Sequence, residues 1–120
     1  MRVLNEGKMI MHYIYAIREE STRGLYKLGR SKHPEIRRGE LNTGNPRNLE
    51  IAMILGQYET QAEAKYYERV VHENFEHAKV KNEWFAVKMI DLKEMQEFIR
   101  QHKLDEQAEL TRLELEPLTE

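Results

Sequence analysis

The chain has no cysteine among its 120 residues, which excludes disulfides, thiolate zinc sites and cysteine nucleophiles together. Long hydrophobic runs are also missing. None exceeds five residues, Ile51–Leu55 being one of that length, far short of the roughly 20 needed to cross a bilayer. The opening MRVLNEGKMIM lacks the apolar core of a signal peptide, so a soluble, cytoplasmic protein with no membrane partner is expected. Internal repeats and low-complexity segments are absent too, which removes solenoids from consideration.

What is present is the make-up of one ordinary domain. Hydrophobic residues are 40% and charged residues 33% of the chain, a soluble globular composition with a heavily charged exterior. The net charge of -2 hides an asymmetry. Residues 1–90 carry 15 basic against 12 acidic side chains, residues 91–120 carry 4 against 9, and between Arg23 and Arg47 the count is 7 to 2. A basic stretch of that kind favours a polyanion, and Arg23, Arg30, Lys32, Arg38 and Arg47 are its candidate nucleic-acid contacts. The expected division is a lead-in over 1–10, a central domain over 11–88, and a C-terminal helix with an acidic tail over 89–120.

The stretch Tyr13–Arg37 organises the chain. Period-two alternation places Tyr13, Tyr15 and Ile17 on one strand face and His12, Ile14 and Ala16 on the other. Arg18–Gly24 reads as a hairpin connection and Leu25–Arg30 as the returning strand. A hairpin symmetric about Ser21 would pair Tyr15 with Lys27 and Tyr13 with Gly29. Pro34 suits the first position of a short helix to Leu41, with Ser31 or His33 as cap, and the Asn42–Pro46 cluster ends it. Leu49–Tyr58 is nearly continuous in apolar residues and reads as a central strand.

Thr60 and Glu63 form a capping-box pattern opening a helix to about His77, whose stripe is Ala64, Tyr67, Val71 and Phe75 with Val70 beside it. Glu68 lies at the edge of that stripe, either aimed at a cleft or solvent-facing and paired with Lys65 or Arg69. Asn82–Val87 is a short extended piece whose Trp84 is expected to plug the core. Leu92, Met95, Phe98 or Ile99, and His102 then define another helix, capped by Asp91. The leucine-bearing acidic end after Leu104 is compatible with a helix extension, a docking or homodimer surface, or a fraying terminus.

These residue types can support phosphodiester hydrolysis. Arg37 offers a planar fork that stays charged and can donate two hydrogen bonds to phosphate oxygens. Tyr15, with an ordinary pKa near 10, becomes a base only beside a cation such as Lys27 or a metal ion. Glu68 as a lone carboxylate fits Mg²⁺ (or Mn²⁺), which keeps several waters and takes one or two protein oxygens. The histidines show no zinc-site spacing, and His72, one turn from Glu68, reads as a supporting or core residue.

In its motif series the chain resembles the GIY-YIG nuclease superfamily, in particular a small phage and bacterial branch. The matching pieces are Tyr13-Ile14-Tyr15, Lys27-Leu28-Gly29, Arg37, Leu41–Pro46, Glu68–Phe75 and Asn82–Phe85. The resemblance implies an α+β fold with a small three-stranded antiparallel sheet flanked by helices, and metal-dependent endonuclease action on DNA, branched or single-stranded substrates included. It implies Tyr15 as the catalytic tyrosine, Arg37 as the phosphate-binding arginine and Glu68 as the metal ligand, with Asn82 the counterpart of a late asparagine. Two positions depart from the pattern. Tyr13 stands in place of a glycine, with Gly29 as the partner that could make room for it, and Lys27 stands in place of a tyrosine.

Overall fold

The structure is a computed structural model that describes residues 3–4 and 8–115. The last five residues of the acidic end, Leu118 among them, and part of the expected lead-in lie outside the described residues. Among the described residues there are seven strands: β1 (Val3–Leu4), β2 (Lys8–Met9), β3 (His12–Glu19), β4 (Tyr26–Ser31), β5 (Leu49–Tyr58), β6 (Lys79–Lys81) and β7 (Trp84–Phe85). Three α-helices accompany them, α1 (Pro34–Asn42), α2 (Gln61–Asn74) and α3 (Met89–Leu115), with one 3-10 turn at Glu76–Ala78. β1 and β2 pair with each other, and the other five strands form one antiparallel sheet in the order β5-β3-β4-β7-β6.

The α+β class expected from sequence is thus observed, but the sheet has five strands rather than three. The added pair is β6 and β7, of three and two residues. Segments that short carry no readable period, and all of β6 is exposed.

The β3 alternation is as read. Ile14 and Ala16 enter the main core with Tyr26 and Leu28 of β4, under α2 and α3, while Tyr15 and Ile17 face the other side with Leu49. The hairpin register differs from expectation. Tyr13 pairs with Ser31, Tyr15 with Gly29 and Ile17 with Lys27, a slip of two residues from the symmetric hairpin. The hairpin is centred on Thr22 instead of Ser21, because β3 runs on to Glu19, β4 starts only at Tyr26 and Gly24 turns in the left-handed region with φ 79°. A two-residue slip preserves the faces, so Tyr15, Lys27 and Gly29 still share one.

β5 lies at a sheet edge, not at the centre. Its apolar run is continuous because α1 and α3 both contact it and two register irregularities against β3 switch which residues face each side. Gln96 of α3 covers the edge by donating to the Ile54 carbonyl at 2.7 Å. On α2 the expected stripe of Ala64, Tyr67, Val71 and Phe75 is buried, and the Thr60 side chain accepts from the Glu63 N–H at 3.1 Å. Phe85 rather than Trp84 fills the main core, and Trp84 packs partly buried against the Tyr15 side. On α3, Ile99 is buried and Phe98 exposed. Helix continues to Leu115, so the acidic segment extends the helix, with Leu104, Leu110, Leu113 and Leu115 exposed.

Candidate functional site

Tyr15 anchors the site from below. Its ring lies over its strand partner Gly29, where a Cβ would come within 2.6 Å of the phenolic oxygen. The absent side chain at Gly29 therefore accommodates Tyr15, and not Tyr13 as the motif reading implied. Only 2% of Tyr15 is exposed. The Arg37 guanidinium, carried on the second turn of α1 and about half exposed, lies near enough to the Tyr15 phenol to act on its ionisation. Burial pushes that phenol above its ordinary pKa, the nearby Arg37 cation opposes the shift, and the Glu83 and Glu68 carboxylates add to it. Arg37 itself is held more firmly protonated, first by Tyr15 and then by Glu40, to which its Nη1 donates at 3.3 Å.

Glu68 does not face solvent, and its partner is neither Lys65 nor Arg69. Arg30 of β4 reaches it, Nε to Oε1 at 3.0 Å. His72, one turn along α2, makes a 2.8 Å hydrogen bond between Nε2 and the Leu28 carbonyl and packs against Phe85 at 5.1 Å between ring centroids. Lys27, expected opposite Tyr15 as the cation that makes it a base, instead donates to Glu83 Oε1 at 3.0 Å with 13% of its side chain exposed.

Glu83 is the residue the sequence reading passed over. It sits with Asn82 in the tight β6–β7 turn, where Asn82 takes φ 52°, a conformation asparagine tolerates better than most residues. The Leu28 N–H donates to the Glu83 carbonyl at 2.9 Å. That bond ends the contact between β4 and β7, which pair only at Tyr26 and Lys27. Asn82 is thus placed as the turn former that delivers its neighbour. The only available signal was the glutamate inside the Asn-Glu-Trp-Phe motif. Glu68, His72 and Glu83 present ligand atoms within 4.8 Å of one another, a set of two carboxylates and one imidazole.

The other basic candidates divide. Arg23 and Lys32 are exposed. Arg30 is engaged by Glu68, Arg38 by Glu35 at 3.1 Å and the Leu49 carbonyl at 3.3 Å, and Arg47 lies 3.7 Å from Glu19. Tyr13 stands on the Tyr15 face two residues away, at the wall of a separate groove.

Residues 12–103 match the profile of the T5orf172 domain, most of the chain. The protein belongs to the T5orf172 domain family. No curated protein and no solved structure matches it. This membership corrects the motif resemblance: the family that matches is T5orf172, not a GIY-YIG family. Three-residue motifs are short enough to recur, and at their two departures this chain does something of its own, since Tyr13 lines a groove and Lys27 holds Glu83. The T5orf172 domain is of a nuclease-associated, DNA-binding type, consistent with a nucleic-acid-related role. Among the described residues no helix is long and apolar enough to cross a membrane.

Proposed function

We propose that this T5orf172 domain is a metal-dependent nuclease that hydrolyses DNA phosphodiester bonds where β4, α1, α2 and the β6–β7 turn meet. The observation that carries the reading is the convergence of Glu68, His72 and Glu83 within 4.8 Å beside the Tyr15 phenol, on which the Arg37 cation acts. The donor set fits a hard divalent cation, since carboxylate oxygens suit Mg²⁺ and the added imidazole extends the choice to Mn²⁺. Glu68 would hold it, with Glu83 and His72 alongside. The bonds from Arg30 and Lys27 each engage one carboxylate oxygen, and a carboxylate has further lone pairs to offer. A bound cation supplies Lewis-acid charge for the scissile phosphate and neutralises the two carboxylates that help keep the Tyr15 phenol protonated.

The protein's own groups supply the rest. Arg37 grips phosphate oxygens with its fork, and its position beside Tyr15 sets the direction of that grip. Tyr15 orients the attacking water and, as phenolate, takes its proton. The water oxygen bonds to phosphorus as the bond to the leaving oxygen breaks, and that oxygen is protonated from solvent. Lys27 acts indirectly by fixing Glu83. Purified protein with Mg²⁺ or Mn²⁺ is expected to nick plasmid, branched or single-stranded DNA, and Glu68→Ala to lower the rate at least roughly 100-fold, the scale of losing one transition-state contact. Absence of cleavage on all three substrates, or wild-type cleavage by Glu68→Ala, overturns the proposal.

One observation favours a second reading. Both carboxylates already hold basic partners, as they would in a nucleic-acid-binding module that takes no metal. Calorimetric titration with Mn²⁺ separates the two readings: a heat lost in Glu68→Ala supports the nuclease. No metal heat, together with strongly salt-dependent DNA binding, supports the module.

A further inference from the structure

Beside the Tyr15–Arg37 pair lies a second feature, which the hydrolytic chemistry does not use. A groove of about 450 Å³ opens between β3, β5 and the start of α1, within the size range of small-ligand sites. Its walls are apolar: Tyr13, Pro34, Ile36, Ile51 and Ile54. Ile51 and Ile54 also pack against the Tyr15 cluster, but Ile36 is 61% exposed and α1 buries none of its residues, so core packing does not account for the α1 wall of the groove. The rim carries Lys32 and His33, both exposed, and Glu35, which Arg38 already engages at 3.1 Å. Cationic charge extends past the groove. The His12 imidazole is held below its ordinary pKa first by burial and then by Lys32 and Arg30.

An aromatic ring and aliphatic side chains beneath a cationic rim are the make-up of sites where unstacked bases of single strands rest. The position adds direction. Tyr13 is two residues from Tyr15 on one strand face, and Ile36 adjoins Arg37, so a strand whose phosphate meets Arg37 lays its neighbouring base on Tyr13. Duplex DNA keeps its bases stacked and has none to offer. We infer that this groove is a base-stacking subsite for single-stranded DNA, in which Tyr13 and Ile36 sandwich the nucleobase next to the phosphate bound by Arg37 and Lys32 supplies charge to the backbone. The inference rests on the proposed nuclease reading for the position of that phosphate.

The test is binding in the absence of metal, so cleavage plays no part in it. Fluorescence anisotropy compares wild-type protein on a labelled oligothymidine, on the same oligomer with abasic positions, on its oligouridine counterpart and on duplex DNA. Wild type is expected to prefer oligothymidine to the abasic strand and the duplex. Tyr13→Ala and the exposed-site variant Ile36→Ser should each weaken oligothymidine binding roughly 5- to 150-fold, the range for one stacked base, and Tyr13→Phe should retain it. Lys32→Ala should lower the slope of affinity against salt by about one contact. Equal binding of abasic and intact strands, unchanged affinity in folded Ile36→Ser, or a preference for oligouridine overturns the inference. If base-dependent binding persists in a protein that cuts nothing, the subsite stands and the nuclease reading alone fails.

Discussion

Tyr15 on β3 and Tyr58 on β5 are packed by the same device and surrounded by opposite electrostatics. Each ring lies over a glycine, Tyr15 across the sheet on Gly29 and Tyr58 back along its own strand on Gly56, with the phenolic oxygen 2.6 Å from where a Cβ would stand in both cases. Both rings are 2% exposed and both phenols are pushed up by burial. Around Tyr58 the neighbours are Tyr67, stacked at 4.8 Å, and the Lys103 ammonium over the ring face at 4.7 Å. That cation touches π density and leaves the oxygen alone, and the Tyr67 and Glu63 charges add to the rise. At Tyr15 the cation addresses the oxygen instead, and Arg37 pulls the pKa back toward its usual range. Burial of a tyrosine over glycine is thus a packing solution used twice, and only where a guanidinium meets the hydroxyl does the ring become chemically interesting.

The largest expected effect separates the two cations. Arg37→Ala should lower DNA cleavage by roughly 100- to 1000-fold, the cost of one transition-state hydrogen-bond donor, while Lys103→Ala leaves cleavage unchanged. Lys103 also lies 3.7 Å from Glu63, with a quarter to a third of each side chain exposed, and loss of an ion pair near the surface costs about 1 kcal/mol of stability or less. Steady-state cleavage rates with thermal melts of both variants check this. Equal loss of activity in the two would dissolve the comparison.

The elements that carry these tyrosines are legible in the sequence, the contrast between their surroundings is not, and the difference has a physical cause. Alternation along β3 assigned Tyr15 and Ile14 to opposite faces, and Pro34, the Asn42–Pro46 cluster and Thr60 marked helix ends by local chemistry that a sequence displays directly. Pairing partners are a different matter. Arg30 with Glu68 and Lys27 with Glu83 join residues 38 and 56 positions apart, and nothing local in the chain announces either. The hairpin register depended on where Gly24 turned, so the slip of two residues kept the faces right and the pairs wrong. Glu83 was missed because strands of three and two residues are too short to show a period, and the two-residue turn between them was the part of the site with the least pattern. The three-residue motifs failed for a related reason, since they capture the strand positions of Tyr15 and Gly29 without the tertiary contacts of Tyr13 and Lys27.

A methyl group at each glycine sharpens the comparison. Gly29→Ala and Gly56→Ala should both be destabilising by about 1–3 kcal/mol, because a buried ring must leave its place to admit the Cβ. Only Gly29→Ala should also reduce cleavage, by roughly 10-fold or more at temperatures where the variant is fully folded, because displacing the Tyr15 ring moves the hydroxyl that aims Arg37. Melting temperatures and single-turnover cleavage of the pair provide the check, and full activity in folded Gly29→Ala would show that the position of Tyr15 does not matter to catalysis.

The smallest effect lies in alkaline stability. A phenol whose folded pKa is raised keeps its proton in the native state while the unfolded chain loses it near pH 10, so the unfolded state binds fewer protons and stability falls as pH rises. The contribution is fully present below about pH 10 and is lost progressively up to the folded pKa, at up to about 1.4 kcal/mol per pH unit for each tyrosine. Tyr67, pushed up to about 12 by burial, and Tyr58, pushed further, should dominate this loss. Tyr15, restrained by Arg37, should add less. Urea unfolding at several pH values between neutrality and the alkaline limit is therefore expected to show a drop in stability that Tyr58→Phe blunts more than Tyr15→Phe does. In an Arg37→Ala background the order should narrow, because removing the guanidinium lets burial act on Tyr15 as it acts on Tyr58. If Tyr15→Phe blunts the drop as much as Tyr58→Phe while Arg37 is present, the guanidinium does not restrain the phenol, and the electrostatic difference between the two tyrosines is lost.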